Sequence, residues 1–184
     1  MTTEELLELE KRVKEGYKIC RKEAVSLVGA ELSELAQAAD RIRLHFCGNV
    51  CDICSVAAVK VGRCSEDCLY CAQSTRARDT VPAECVLGEK ILTNLAIQDK
   101  SRGSCRYGLV SVGRRRSKRE LELAAGNIKD IRDKADIHVC ASFGMLDKAD
   151  FEELRAAGMT MVHNNLEASE AFFKTLCTTH TTED

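Results

Sequence analysis

Apolar residues recur at helical spacing in the first part of the chain. Leu6, Leu9 and Val13 lie three and four positions apart, as residues on one face of an α-helix do. A second stripe with the same spacing follows a glycine and comprises Leu32, Leu35, Ala39 and Ile42. The pattern therefore predicts a helical N-terminal extension over residues 1–46.

Short apolar runs alternate with amphipathic segments over residues 47–184. The predicted strands cover residues 53–59, 106–112, 137–142 and 159–163. The predicted helices cover residues 86–100, 117–134, 148–157 and 168–176. Alternation of this kind is typical of parallel βαβ units and of an α/β fold.

The number of predicted βα units indicates how much of a barrel the chain can form. A complete (β/α) barrel of the TIM type has eight βα units and typically takes about 250 residues. The expected fold class is therefore α/β, a partial (β/α) TIM-type barrel of about four βα units in residues 47–184, preceded by the helical extension. We expect the chain to be the front half of a longer barrel.

The charge balance of the chain is close to neutral. Its 184 residues include 27 basic and 29 acidic side chains, which leaves a net charge of −2. This balance argues against binding to nucleic acid or to a membrane surface, and the basic stretch 114–119 is expected to be a solvated loop. No apolar run approaches the roughly 18 residues of a membrane span, and the acidic N-terminus is unlike a secretory signal. We therefore expect a cytoplasmic protein.

Cysteine is the unusual residue type, with 11 positions in the chain. A secreted disulfide scaffold tends to be shorter, to follow a signal and to have an even number of cysteines. In a reducing compartment, clustered thiols more often serve metal or redox chemistry. The spacing of the cysteines is therefore the main guide to function.

Cys64, Cys68 and Cys71 are spaced as C-x3-C-x2-C, in a predicted loop after the first strand. Three thiolates on a short loop can hold three irons of a cubane cluster and leave the fourth iron open to a substrate or cofactor. A zinc site with a distant fourth ligand is the alternative that the spacing leaves open.

The same spacing occurs upstream in Cys47, Cys51 and Cys54. These residues predict a second cluster, or a ligand set shared with Cys140. The alternative is that they are small buried residues, because free cysteine often packs as one.

The residues around Cys64, Cys68 and Cys71 resemble the sequence signature of one particular family. The segment Gly62-Arg-Cys-Ser-Glu-Asp-Cys-Leu-Tyr-Cys-Ala-Gln-Ser74 resembles the signature of the biotin synthases, a family of radical S-adenosylmethionine (SAM) enzymes. The similarity is greatest for the clostridial-type branch, and it continues through Arg106-Tyr107, Val139–Ser142, His163–Glu167 and Phe172–Thr181.

The resemblance implies a partial barrel of the radical SAM kind and a specific chemistry. Cys64, Cys68 and Cys71 would hold a 4Fe–4S cluster, and SAM would bind its fourth iron. One electron from a reductant such as flavodoxin or ferredoxin would cleave SAM to methionine and a 5′-deoxyadenosyl radical, which abstracts hydrogen from dethiobiotin. Sulfur from a second iron–sulfur cluster would then complete biotin.

The resemblance also implies roles for three residues outside the cluster ligands. Tyr70 would pack beside the cluster and adenine, and Asn165 and Glu167 would lie near the SAM ribose and the dethiobiotin ureido group. An amide and a carboxylate suit hydroxyl and urea groups. A strand-end turn is the alternative for Asn165 and Glu167, since such residues favour turns.

The second cluster is where the chain departs from the family. Cys140 matches a family ligand of that cluster, but Gly108 stands where the family has another cysteine. The upstream Cys47, Cys51 and Cys54 are therefore expected to take over from the missing ligand.

Two further functions compete with a biotin synthase-like enzyme. One is a truncated, catalytically inactive remnant that binds an iron–sulfur cluster. The other is a different radical SAM enzyme, such as a maturase.

We also expect a homodimer, in which two partial barrels pair and cover the open edge of each sheet.

Overall fold

Helices alone make up the regular structure of the first of two units of the chain, Met1–Cys51. They are α1 (Thr3–Lys14), α2 (Arg21–Ser26), a 3₁₀ turn at Leu27–Gly29, and α3 (Leu32–Cys47). Thr2 and Glu5 form a capping box that starts α1, because each side chain accepts a hydrogen bond from the other residue's backbone N–H. The two predicted helices are confirmed, and α2 lies between them.

The packing of α3 differs from the predicted stripe. Ala38 is the buried residue of this helix, whereas Leu32 is 77% exposed. The helix packs against α1, whose Leu6 and Leu9 are buried. The predicted face is confirmed in part, because Leu35 and Ile42 are partly buried on the same side as Ala38, whereas Leu32 and Ala39 are exposed.

The second unit, Asp52–Asp184, contains a five-stranded sheet; the structure describes residues 1–78 and 81–184 of the whole chain. Its strands are β1 (Ile53–Val61), β2 (Glu84–Cys85), β3 (Ser104–Ser111), β4 (His138–Ser142) and β5 (Met159–Val162). They lie in the order β2-β1-β3-β4-β5. The strands β1, β3, β4 and β5 run parallel to one another. The short strand β2 pairs with β1 in the antiparallel direction.

Helices follow each parallel strand. They are α4 (Ile91–Ser101), α5 (Lys118–Ala135), α6 (Lys148–Ala156) and α7 (Glu170–Leu176). The core lies between one face of the sheet and α4, α5 and α6; it includes Val59, Leu92, Leu109, Ile128, Ile131, Val139 and Leu154, each at most 1% exposed. The predicted α/β class and the partial TIM-type barrel of four βα units are confirmed.

The predicted helix over residues 86–100 begins later than expected. Gly88 has a left-handed φ of +86°, and its N–H donates to the Asn127 side chain of α5 at 2.6 Å. A left-handed residue interrupts a right-handed helix, so α4 starts only at Ile91. The two-residue β2 precedes this turn and was not predicted.

The other face of the sheet carries no helix among the described residues. Val56 of β1 is 66% exposed and Val110 of β3 is 36% exposed on this face. In a complete barrel this face would be the interior. Every helix within the described ranges is too short or too polar to cross a membrane.

Candidate metal centre

Residues 62–75 directly follow β1 and form a loop that we call the cysteine loop. Gly62 begins it with a φ of +75°, and a Cβ there would lie only 2.6 Å from the Val81 carbonyl oxygen. The Gly62 N–H donates to the Gln73 side chain at 2.7 Å, and the Cys64 N–H donates to the Gln73 carbonyl at 3.2 Å. These contacts close the loop on itself.

The three predicted cluster ligands lie on this loop. Cys68 is buried, and Cys64 and Cys71 are partly exposed. The Glu66 N–H donates to Cys64 Sγ and the Gln73 N–H donates to Cys71 Sγ, each at 3.4 Å. Hydrogen bonds to sulfur tune iron–sulfur clusters. The donor set therefore suits a cluster held by three thiolates.

All six residues predicted to bind the cluster or SAM line one cleft of about 820 Å³. They are Cys64, Cys68, Tyr70, Cys71, Asn165 and Glu167. Residues at or just beyond the ends of the parallel strands also line this cleft, including Ser111 and Ser142. This position matches the carboxyl-terminal face on which barrel enzymes build their sites.

The three predicted residues outside the ligand set differ in their surroundings. Burial, the neighbouring Cys68 thiol and the Glu167 carboxylate raise the pKa of Tyr70, so its phenol stays neutral. Asn165 Oδ1 lies 3.0 Å from His163 Nε2. Glu167 is exposed and has a left-handed φ of +60°, which turns the chain just after β5.

A second segment, which we call the terminal segment (residues 177–184), packs against the cysteine loop. The Asp67 carboxylate accepts hydrogen bonds from the backbone N–H groups of Thr178 and Thr179 at 2.8 and 3.2 Å. It also accepts from the Thr178 hydroxyl at 2.6 Å and from Arg76 at 2.5 Å. Hydrogen bonds from the hydroxyl and N–H of Thr178 hold the pKa of Asp67 far below its usual range.

The terminal segment also contributes a thiol and an imidazole. Cys177 Sγ lies 3.8 Å from Cys68 Sγ and 3.1 Å from His180 Nδ1. Among the described residues, Cys68, Cys177 and His180 are the one group of metal-binding side chains whose ligand atoms all lie within 4.8 Å of one another. No role was predicted for Cys177; the Cys177-x2-His180 spacing is the signal that would have identified it.

Burial affects the ionisation of the groups in this cluster. It raises the pKa of Cys68 to about 11, so this side chain is a neutral thiol in the metal-free chain. A bound cation deprotonates such a thiol. Burial also raises the pKa of Glu66, but hydrogen bonds from Thr179, Ser65 and His180 outweigh that effect and lower the pKa overall.

The residues predicted for a second cluster lie in two places. Cys54 of β1 accepts a hydrogen bond from Arg106 Nη1 at 3.7 Å. Cys140 of β4 pairs with Gly108 of β3, where a Cβ would lie 3.3 Å from Cys140 Sγ. Burial and the charge of Cys54 raise the pKa of Cys140, against the effect of Arg106. Cys47 belongs to the first unit.

The arginine stretch after β3 is only in part the solvated loop that we predicted. The Arg116 side chain is only 2% exposed and donates to Ser111 Oγ at 2.9 Å. Arg114 donates to the Thr179 carbonyl at 2.9 Å and pairs with Asp184. Arg115 and Arg119 are exposed, as expected. The stretch therefore joins the strand ends to the terminal segment.

Two solved structures share this fold. Methylornithine synthase has a TM-score of 0.75 at 16% identity, over 95% of this chain and 52% of that chain. HydG, a maturase of the FeFe-hydrogenase, has a TM-score of 0.74 at 18% identity, over 100% of this chain and 42% of that chain. These similarities concern the fold alone, and they agree with a partial TIM-type barrel.

Curated proteins match the chain at higher identity than the solved structures do. Biotin synthases match this chain at 38% identity in Brachyspira hyodysenteriae, 39% in Akkermansia muciniphila and 35% in Clostridium tetani. The matches cover 96%, 94% and 97% of this chain but only 53%, 54% and 56% of those proteins. No protein-family model matches the chain. The chain is related to the biotin synthases, and it spans about half the length of the curated relatives it matches.

Proposed function

We propose that the chain carries the cluster-binding and SAM-binding part of a biotin synthase, which converts dethiobiotin to biotin by inserting sulfur. The observation that carries the proposal is that Cys64, Cys68, Cys71 and Tyr70 line one cleft, at the carboxyl ends of parallel strands. The relationship to the biotin synthases supports the choice of substrate.

The three thiolates of the cysteine loop would hold a 4Fe–4S cluster. When bound, such a cluster supplies the electron that cleaves SAM to methionine and a 5′-deoxyadenosyl radical. The N–H groups of Glu66 and Gln73 would stabilise the charged sulfurs of Cys64 and Cys71. Burial of Cys68 would limit the access of water and oxidants to one ligand of the cluster.

The cleft would also bind SAM. The ring of Tyr70, kept neutral, would pack against the cofactor beside the cysteine loop. The Asn165 amide can donate and accept, and the Glu167 carboxylate can accept from ribose hydroxyls. These two residues would also orient the ureido group of dethiobiotin.

A second iron–sulfur cluster is the proposed source of sulfur. Cys54 and Cys140 are its proposed ligands in the second unit, whereas Cys47, the other residue predicted for this cluster, belongs to the first unit. Both Cys54 and Cys140 lie on the sheet face opposite the helices, which supports the assignment. Replacing Cys54 by alanine should lower the iron content, and unchanged iron would contradict its role.

The proposed partners follow from the same chemistry. A one-electron reductant such as flavodoxin or ferredoxin would reduce the first cluster. The proposed location is the cytoplasm, where a reducing environment would keep the clustered thiols available for metal binding. A second copy of the chain would cover the edge of β5, which is the last strand in the sheet order of the described residues. Sedimentation that returns only monomers would contradict the homodimer.

Anaerobic reconstitution tests the proposal. The chain would be loaded with iron and sulfide, reduced, and mixed with SAM, with 5′-deoxyadenosine measured in the presence and absence of dethiobiotin. We expect 5′-deoxyadenosine whose formation dethiobiotin stimulates. Single replacements of Cys64, Cys68 or Cys71 by alanine should abolish it, whereas the exposed Cys85→Ala is the matched control.

Two results would contradict this function in different ways. An intact cluster without SAM cleavage would favour the inactive iron–sulfur-binding remnant. SAM cleavage that dethiobiotin leaves unchanged would favour another radical SAM activity. The fold similarity to a maturase does not by itself favour that alternative, because the identity is only 18%.

A further inference from the structure

The contact between the cysteine loop and the terminal segment has the dimensions of a mononuclear metal site. In a tetrahedral zinc site, bonds of about 2.3 Å to sulfur and about 2.0 Å to nitrogen place ligand atoms about 3.5 to 3.8 Å apart. Cys68 Sγ and Cys177 Sγ are 3.8 Å apart, and Cys177 Sγ is 3.9 Å from His180 Nε2. We propose that Cys68, Cys177 and His180 bind a soft divalent cation such as Zn²⁺.

The surroundings of His180 favour coordination through Nε2. His180 Nδ1 lies 2.8 Å from the Glu66 carboxylate, so an N–H at this position can donate to Glu66. Metal-binding histidines commonly donate the other ring N–H to a carboxylate, which fixes the orientation of the ring. Glu66 therefore positions the imidazole and leaves Nε2 for the cation.

The two thiols are also held in position. Cys177 Sγ donates to Asp67 Oδ1 at 3.3 Å, and the Cys177 N–H donates to the Phe173 carbonyl at 3.1 Å. Cys68 is 7% exposed and Cys177 is 4% exposed, so both thiols are already removed from water. Arg76 pairs with Asp67, which offsets the negative charge next to the site. The ligands are thus arranged before the cation binds.

The charges of the three ligands suit a divalent ion. Two thiolates and a neutral imidazole balance the charge of Zn²⁺, and sulfur and imidazole ligands are those that Zn²⁺ prefers. Cys68 and His180 both line the cleft described above, so the fourth coordination position would face that cleft. Water from the cleft would occupy it.

Cys68 is a proposed ligand of both the cation and the 4Fe–4S cluster, which affects how the cluster can be assembled. If Cys68 also binds the 4Fe–4S cluster, the cation and the cluster exclude each other; this part of the inference rests on the proposed function. A cation bound to Cys68 and Cys177 would keep the cysteine loop on the terminal segment, and it would have to leave before the cluster forms.

Cobalt titration of the metal-free chain under anaerobic conditions tests the site. We expect one Co²⁺ per chain, with visible bands of tetrahedral cobalt and near-ultraviolet thiolate charge-transfer bands, both removed by Zn²⁺. Cys177→Ala and His180→Gln should each weaken binding by at least about 10- to 100-fold. Cys64→Ala, Cys71→Ala and Cys85→Ala should bind as the unchanged chain does. Circular dichroism checks that each variant is folded.

Two outcomes of the titration would overturn the site. One is tetrahedral cobalt bands that survive in both Cys177→Ala and His180→Gln. The other is loss of these bands in Cys64→Ala or Cys71→Ala, which would assign the cation to the cysteine loop alone. Both outcomes are independent of whether an iron–sulfur cluster can be formed.

Reconstitution of zinc-loaded chain tests the exclusion. Zinc should suppress the visible iron–sulfur absorbance in the unchanged chain but not in Cys177→Ala. Zinc that remains bound beside a complete cluster would overturn the exclusion. If no variant forms a cluster even without zinc, the proposed function fails, whereas the cobalt titration still decides the cation site.

Discussion

The Asp67 carboxylate accepts two hydrogen bonds from Thr178, one from its backbone N–H at 2.8 Å and one from its hydroxyl at 2.6 Å. The two residues are 111 positions apart in the chain. Because Asp67 directly precedes Cys68, the contact sets where a proposed cluster ligand lies. The terminal segment is thus part of the candidate metal centre.

Replacing Asp67 by asparagine should loosen the terminal segment. The amide lacks the negative charge, and only one of its two polar atoms can accept a hydrogen bond. We expect amide hydrogen exchange in residues 177–184 to accelerate by about tenfold, measured by mass spectrometry on that peptide. Asp130→Asn, on the exposed surface of α5, is the control and should leave this exchange unchanged. Equal exchange in the two variants would refute the role of Asp67.

Gly62 should not tolerate a side chain. Its φ of +75° is unfavourable for alanine, and the added Cβ would lie 2.6 Å from the Val81 carbonyl oxygen. Gly62→Ala should lower the free energy of unfolding by about 1–3 kcal/mol, measured by urea denaturation. The matched control is Gly126→Ala in α5, where no atom lies within 4 Å of the new Cβ. That change should raise stability by about 0.5–1 kcal/mol.

Glu10 should make the stability of the first unit depend on pH. The side-chain hydrogen bonds of Arg41, at 2.6 to 3.0 Å, lower the pKa of Glu10 to about 2 despite burial. A lowered pKa contributes stability above the ordinary value of 4.5 and loses it as pH falls towards 2.

Glu10→Gln should therefore lower the free energy of unfolding by about 1–3 kcal/mol at neutral pH, and flatten its decline between pH 4.5 and 2. Denaturation followed by circular dichroism at several pH values measures both effects. The exposed Glu8→Gln is the control. A pH dependence that is unchanged in Glu10→Gln would show that other groups cause it.

Glu167→Gln should weaken SAM binding without loss of the cluster. A neutral amide accepts hydrogen bonds from ribose hydroxyls less strongly than a carboxylate does, and we expect Kd to rise about tenfold. Calorimetry on the reconstituted chain measures Kd, and visible absorbance reports the cluster. Glu152→Gln on α6 is the surface control. An unchanged Kd would favour the alternative that Asn165 and Glu167 only form a strand-end turn.

The elements that were predicted well are those with a local cause. Leu121, Ala124, Ile128 and Ile131 are buried at helical spacing in α5, and Ser117 and Glu120 form the capping box that starts the helix. By contrast, β2 has only two residues, which is too short for an alternating pattern. The late start of α4 depends on the contact of Gly88 with Asn127, 39 positions away.

The residues of the candidate site also fall into two groups, those that the sequence predicted and those that only the structure revealed. The sequence by itself determined the three cysteines at C-x3-C-x2-C spacing and the βα alternation, because both depend on residues within a few positions of one another. Only the tertiary structure brought Cys177 and His180 to Cys68, and buried Arg116 in a stretch predicted to be solvated. Parallel strands end at a common edge of the sheet, so segments far apart in the chain meet there. Which of their side chains are in contact cannot be predicted from a local sequence pattern.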